Sequence, residues 1–373
     1  MKKKVLFIID TSVGGESIAV RRLITALKND GSYGCEILQL TKRVPSKKRF
    51  TFIKRLWEYF SNSRKKIQYK ISEFSPDYVF ASDYLWLLAT LSVRKKCTKV
   101  IFSFHGNKSV PFLNFSYIDY RQIIIKILER IALLKADAVT LPSEHSFVYM
   151  KKTLGPLFDK NKFFYLRNII PSDFFVTHGD FNNKKLTVIY SGRIEQNKGI
   201  ENLILAISKY VRTGKDIILI IAYPKAGTNL KVLNFIKRLI KINNIAKNVV
   251  FKKNLSTKEL VENYKKSDVL ILSSDIEFAP LSVLEAYAAG TPAITTMVGN
   301  LKYIVGRCDK NLLLSENSPQ EIYKHLVSYS RYSLQRRYKL GLKCRFIAKE
   351  FDEGNAIKNF KIMLNFLENN KPL

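Results

Sequence analysis

A chain of 373 residues, 46% of them hydrophobic, is long enough for two domains with a core each and too apolar to be disordered. Its 63 Lys and Arg against 31 Asp and Glu leave a formal charge of +32, which attracts polyanions: nucleic acid, an anionic membrane face or phosphorylated substrates. Four scattered cysteines with no C-x-x-C suit reduced thiols in cytoplasm, and four histidines without H-E-x-x-H or D-x-D offer no metal site.

Lys2-Lys3-Lys4 ahead of Val5 to Ile9 has the charge order of a secretory leader. The apolar run stops at Asp10, however, so it reads as a first buried strand. No later run approaches the ~18 uninterrupted apolar residues of a membrane-spanning helix. Gly14 and Gly15 follow, then a helix over about Ile18 to Lys28. Paired glycines let the backbone approach a phosphate at a helix start, although taken alone they read as a plain turn. The pattern is not G-x-G-x-x-G and gives no dinucleotide site.

From Lys42 to Lys70, eleven Lys and Arg face the single acid Glu58. Ile53, Leu56, Trp57, Phe60, Ile67 and Ile71 recur among them at helical spacing. A basic amphipathic helix carrying Trp and Phe can lie in a membrane interface. The alternative is a helix whose apolar face packs on its own domain while its lysines are solvated.

Tyr78 to Ala81 and Val100 to Phe104 are the next strands, and His105-Gly106 closes the second. Phe115 to Lys135 is a long apolar helix, and Ala138 to Leu141 a strand that leads to a helix start at Ser143, a good cap. The polar stretch His178 to Lys185 reads as an interdomain linker. Beyond it strand and helix alternate again: Thr187 to Ser191, a helix from about Ile200, Ile217 to Ala222, a helix from about Leu230, Val249 to Phe251, and a helix over Thr257 to Lys265. This order predicts an α/β protein with two doubly wound parallel sheets, in domains 1–174 and 183–354.

The most informative stretch runs from Ser267 to Ile294. Val269 to Leu272 is a buried strand, Ser273 to Glu277 a loop, and Pro280 starts a helix over Leu281 to Ala289 that Gly290 and Pro292 end. On one continuous helix Glu277 and Glu285 would be ~12 Å apart along the axis. With the helix starting at Pro280, both instead approach the carboxyl edge of the sheet, where open α/β folds bind ligands.

Glu277 and Glu285 with Pro280-Leu281 between them, then Ala286-Tyr287-Ala288-Ala289-Gly290-Thr291-Pro292, resemble the donor-site signature of family 4 retaining glycosyltransferases of the GT-B fold. Ser191 to Gly199 resembles the same family's G-R-x4-K-G segment, with Gly192, Arg193, Lys198 and Gly199 in place. The bacterial surface-polysaccharide members are the nearest in type. Asn168 to Asp173 is similar to the Asn-Gly-Val-Asp that ends the first domain, without its glycine. Phe278-Ala279 replaces the commoner Gly-Phe before Pro280.

The resemblance implies two Rossmann-like domains facing a central cleft, the first completed by a C-terminal helix over 355–373. It implies a donor diphosphate beside Gly14, Gly15 and Gly192, clamped by Arg193 and Lys198. Glu285 would hold the ribose hydroxyls, Glu277 a hydroxyl of the donor sugar, and His105 would touch that sugar; Pro280 and Leu281 complete the donor pocket. The reaction is then retaining and metal-independent. It needs no cofactor beyond a nucleotide-diphosphate sugar, UDP or GDP, and has a glycan or lipid-linked acceptor as its other partner. Residues 42–71 would hold the enzyme on the anionic inner face of the plasma membrane, with no nucleic-acid partner. The competing expectations are a soluble GT-B sugar-phosphate or disaccharide synthase and a non-enzymatic polyanion-binding protein.

Overall fold

Five consecutive apolar residues, Val5 to Ile9, are completely shielded from solvent, the mark of a strand covered on both faces. They lie in β1 (Lys3–Asp10), the second strand of a six-stranded parallel sheet. The structure, a computed structural model, describes residues 2–11, 14–41, 49–104, 120–177, 185–277 and 279–369. After β1 come α1 (Gly15–Asp30), β2 (Tyr33–Leu40), α2 (Arg49–Phe74), β3 (Tyr78–Ala81), α3 (Tyr84–Val93) and β4 (Lys99–Ser103). Then α4 (Tyr120–Lys135), β5 (Ala138–Leu141), α5 (Glu144–Leu154) and β6 (Phe163–Tyr165) complete the order β2-β1-β3-β4-β5-β6. Chain order reverses between β1 and β3, which places α1 and its glycines at the carboxyl end of a topological switch point.

The chain divides into two units, Met1–Arg167 with Gly354–Leu373, and Asn168–Glu353. The sequence placed the first boundary at 174 and the second domain's start at 183. The division falls earlier because Ile170 and Phe174 are buried in the second unit's core, and the Ile170 amide donates to the Phe351 carbonyl at 2.8 Å. The polar stretch 178–184 lies outside the described residues.

The second unit runs β7 (Leu186–Ser191), α6 (Ile200–Arg212), β8 (Ile217–Tyr223), α7 (Leu230–Ile242), β9 (Val249–Lys253), α8 (Thr257–Lys265) and β10 (Val269–Leu272). It continues with α9 (Leu281–Ala288), β11 (Ala293–Thr296), α10 (Leu301–Cys308), β12 (Leu313–Leu314), α11 (Pro319–Ser330) and α12 (Leu334–Ala348). Its parallel order is β12-β11-β10-β7-β8-β9, so the switch point lies between β7 and β10. At the opposite edge, Asp268 and Arg337 form a buried 3.0 Å ion pair. The second Asp268 oxygen accepts the Thr187 amide of β7 at 2.7 Å, which ties α12 to the amino ends of both central strands.

The last helix, α13 (Glu353–Asn369), closes the first unit. Phe360 is fully buried among Phe7, Phe80 and Tyr33, and Tyr78 donates to Glu368 at 2.5 Å. The predicted apolar face of α2 splits in two. Ile67 and Ile71 are buried in the unit together with Phe52, whereas Ile53 is 60% and Trp57 67% exposed, with Phe60 stacked on Trp57. Among the described residues no helix is long and apolar enough to cross a membrane.

Candidate functional site

β7 ends at Ser191, and the chain must turn from there into α6 across the switch point. Tyr190, fully buried, donates its hydroxyl to the Arg193 carbonyl at 2.7 Å, and Ile194 is buried beneath the loop. The Gly192 amide donates to the Ala222 carbonyl at 3.0 Å. Arg193 lies over Gly227, where a Cβ would come within 2.8 Å of its Cδ, and its guanidinium pairs with Glu195 at 3.0 Å. The turn closes at Gly199, which has φ +62° and caps α6. A side chain at Gly199 would meet the Ser273 carbonyl at 2.0 Å, so only glycine permits this approach to the β10 loop.

From the other side, Ser273 and Ser274 leave β10 completely buried. The Ser273 hydroxyl donates to the Gly199 carbonyl at 2.9 Å, and the Asp275 amide to the Asn197 carbonyl at 3.0 Å. Asn317 joins both loops: its amide donates to Asp275 at 2.7 Å, and its carbonyl accepts from Asn202 of α6 at 2.8 Å. These bonds bring Lys198 Nζ to 2.6 Å from Glu277 Oε1, with side chains only 15% and 12% exposed. Ser274 Oγ donates to the same Glu277 oxygen at 2.9 Å, and Thr296 of β11 holds the Ser274 carbonyl at 2.6 Å.

Pro280 is buried and precedes the first turn of α9, whose amino end has no side-chain cap. The loop before it is pinned by Asn168 Nδ2, which donates to the Ala279 carbonyl at 2.8 Å. Leu281 opens the helix half-buried, and Glu285 lies in its second turn, 6% exposed, accepting from Tyr264 at 3.2 Å. Gly290, at φ +80°, turns the chain out of the helix, and the Thr291 amide returns to the Ala286 carbonyl.

The predicted residues Gly192, Arg193, Lys198, Glu277, Pro280, Leu281 and Glu285 therefore lie on two loops and one helix start at the carboxyl ends of β7 and β10. Direct contact joins Lys198 to Glu277, while the Arg193 guanidinium pairs with Glu195. Gly14 and Gly15 start α1 in the first unit, where an added Cβ would meet nothing within 4 Å. His105 and Phe278 lie outside the described residues. Ser274, Asn317 and Tyr264, which position the two glutamates or their loop, were not anticipated. Ser273-Ser274 at the end of an apolar strand is a visible signal, whereas Asn317 and Tyr264 carry none. Among the described residues no three His, Cys, Asp or Glu side chains cluster as metal ligands.

Two doubly wound parallel sheets built this way make the GT-B architecture. Sucrose-phosphate synthase from Thermosynechococcus elongatus superimposes with a TM-score of 0.81 at 17% identity, over 99% of this chain and 100% of that one, a likeness of fold. Residues 173–338, within the second unit, match the family described as "Glycosyl transferases group 1". The chain is 31% identical over 134 residues to D-inositol 3-phosphate glycosyltransferase of Corynebacterium urealyticum, covering 35% of this chain and 31% of that protein. It is 28% identical over 153 residues to mannosylfructose-phosphate synthase of Agrobacterium fabrum, covering 40% and 33%. The chain thus spans about a third of the length of these curated relatives.

Proposed function

We propose that this protein is a retaining, metal-independent glycosyltransferase that takes a sugar from UDP or GDP and passes it to a cell-surface polysaccharide or lipid-linked glycan. The observation that carries the reading is the Lys198–Glu277 pair, set by two stitched loops at the switch point of the matched unit. A departing nucleoside diphosphate develops negative charge on its bridging oxygen. A lysine, an arginine and an uncapped helix amino end fixed at one sheet edge stabilise that charge without a metal. Lys198 and Arg193 fill the cationic roles, as a point charge and a planar fork. Glu277, held by Ser274 as well as Lys198, receives a donor-sugar hydroxyl, and the buried Glu285 receives the ribose hydroxyls. Neither carboxylate acts as a glycosidase nucleophile; the leaving diphosphate takes the acceptor's proton as attack occurs on its own face.

The membrane part of the reading rests on α2. Ile53 and Trp57 face solvent beside exposed Lys54, Arg55, Arg64, Lys65 and Lys66, the composition of an interfacial helix. Residues 42–48 of the basic segment lie outside the described residues. On this reading the enzyme works at the inner face of the plasma membrane. A second reading, a soluble synthase with a small phosphorylated acceptor, is favoured by the names of both curated relatives.

A thermal-shift screen of nucleoside diphosphates and their sugars tests the donor chemistry. At least one stabilises the parent, and Lys198→Ala abolishes that shift. No stabilisation by any of them refutes the proposal. Flotation with anionic and neutral vesicles separates the acceptor readings, since a soluble synthase floats with neither.

A further inference from the structure

α12 buries one apolar face, and its outer face, shared with Gln335 and Arg345, carries large apolar side chains as well. Leu340, Cys344, Ile347 and Ala348 are buried, and Gly341 lies so close to the Gly290 carbonyl that an added Cβ would be 2.6 Å from it. On the outer face Leu334, Tyr338, Leu342 and Phe346 recur at intervals of four, each at least 40% exposed and Phe346 69% exposed. Four large apolar side chains along one exposed stripe are more than the scattered singles of an ordinary surface.

The flank of that stripe is cationic. Turning about 100° per residue puts Arg336, Lys339 and Lys343 side by side along one edge of it. With Lys310, Asp309 and Cys308 they line an open depression of 510 Å³. Its single acid is already occupied: Asp309 pairs with Arg336 at 3.2 Å and accepts the Asn311 amide at 2.9 Å. Arg336 is held further by stacking on Tyr332, 3.5 Å from the ring centre. Lys310, Lys339 and Lys343 have no carboxylate partner among the described residues, so the depression is a net cationic bowl beside an apolar ridge.

We propose that the outer face of α12 is a docking surface for an anionic lipid membrane, with a phosphate headgroup seated in the lysine-lined depression and the ridge entering the acyl boundary. The combination selects this occupant. A free anion would use the bowl and leave the ridge exposed. A second copy of the chain meeting this face two-fold would set Lys339 and Lys343 against themselves in a protein of charge +32. The surface is distinct from α2, since it belongs to the second unit. Through Gly341 it packs on the turn that ends α9.

The test uses the full chain with Ile53→Ser and Trp57→Ser, so that α2 does not mask the result. This chain floats with phosphatidylcholine vesicles containing phosphatidylglycerol and not with phosphatidylcholine alone. Adding Lys339→Glu with Lys343→Glu, or Leu342→Ser with Phe346→Ser, lowers the bound fraction about tenfold or more. All substitutions are at exposed positions, and unchanged melting temperatures confirm the fold. Phe346→Trp gains fluorescence quenching from doxyl-labelled lipid. Binding unaffected by the α12 changes overturns the proposal, as does absence of binding once α2 is silenced. Self-association of the parent in sedimentation velocity, lost in Phe346→Ser, also overturns it by assigning the face to a second copy. The α12 changes alone, with α2 intact, report separately on the α2 reading.

Discussion

Lys198 and Glu277 meet at 2.6 Å across 79 residues of chain. The contact exists because β7 and β10 are adjacent and parallel, so their carboxyl-end loops face each other. Glu277 has a second donor in Ser274, and the two side chains are mostly shielded. Each therefore fixes the other's position, which on the proposed reading is the preorganisation a charge-stabilising site requires.

Glu277→Ala is expected to retain nucleotide binding, measured by the same ligand-induced thermal shift, while lowering transfer on the order of 100-fold. Glu277→Gln keeps the hydrogen bond from Ser274 and loses less. Full transfer activity in the alanine variant would remove Glu277 from its assigned role.

Gly199→Ala should be among the most damaging small substitutions in the chain. Its backbone is left-handed, and the new methyl would collide with the Ser273 carbonyl at 2.0 Å. Backbone strain alone costs roughly 1–2 kcal/mol, and the collision adds to it by separating the loops that set Lys198 against Glu277. Urea unfolding is expected to show the loss of stability, with donor binding weakened in the surviving folded fraction. Gly14→Ala and Gly15→Ala, which meet open space, serve as mild controls for stability alone.

Much of this site was legible because its residues are close in sequence to a strong local signal. Pro280, Gly290 and Gly199 each have a backbone requirement that a reader can infer, and the buried strands are continuous apolar runs. β2 was not legible: as an edge strand it is only half-buried and carries Glu36 and Gln39, so neither a continuous run nor a clean alternation marks it. α12 hid for the opposite reason, since apolar residues on both faces erase the 3.6-residue period. Cys308 and Cys344 looked unrelated, yet their sulfurs lie 3.3 Å apart inside the second unit. Pairing over long separations, as in Asp268 with Arg337, leaves no mark in a single sequence.

That buried pair gives a stability prediction. Both side chains are 3% exposed, and Asp268 is also bonded to the Thr187 amide. Arg337→Ala leaves a buried carboxylate without its cation and should cost roughly 3–5 kcal/mol. Replacing both partners by apolar residues recovers part of the loss, which chemical denaturation of the single and double variants would measure. An Arg337→Ala protein as stable as the parent would show that the pair contributes nothing.

The fixing of α13 to the first unit should depend on acid in a defined direction. Glu368 is held below the ordinary glutamate range first by the Tyr78 hydroxyl and then by Lys3, and Asp30 is lowered by Ser32 and Lys361. A carboxylate with a depressed folded-state pKa adds stability that is present above its unfolded value and lost as pH falls through its folded value. The attachment of α13 is thus complete at neutral pH and loosens on acidification below about pH 4, the unfolded carboxylate range. Both groups are partly solvated, so the aromatic contacts of Phe360 keep the helix in place and only its ends loosen. The protection factors of the α13 amides, corrected for the intrinsic exchange rate at each pH, should fall down the acid range in the parent. In Glu368→Gln with Asp30→Asn they should be lower at neutral pH and nearly flat with acid. An acid response of equal size in that variant would place the titrating groups elsewhere.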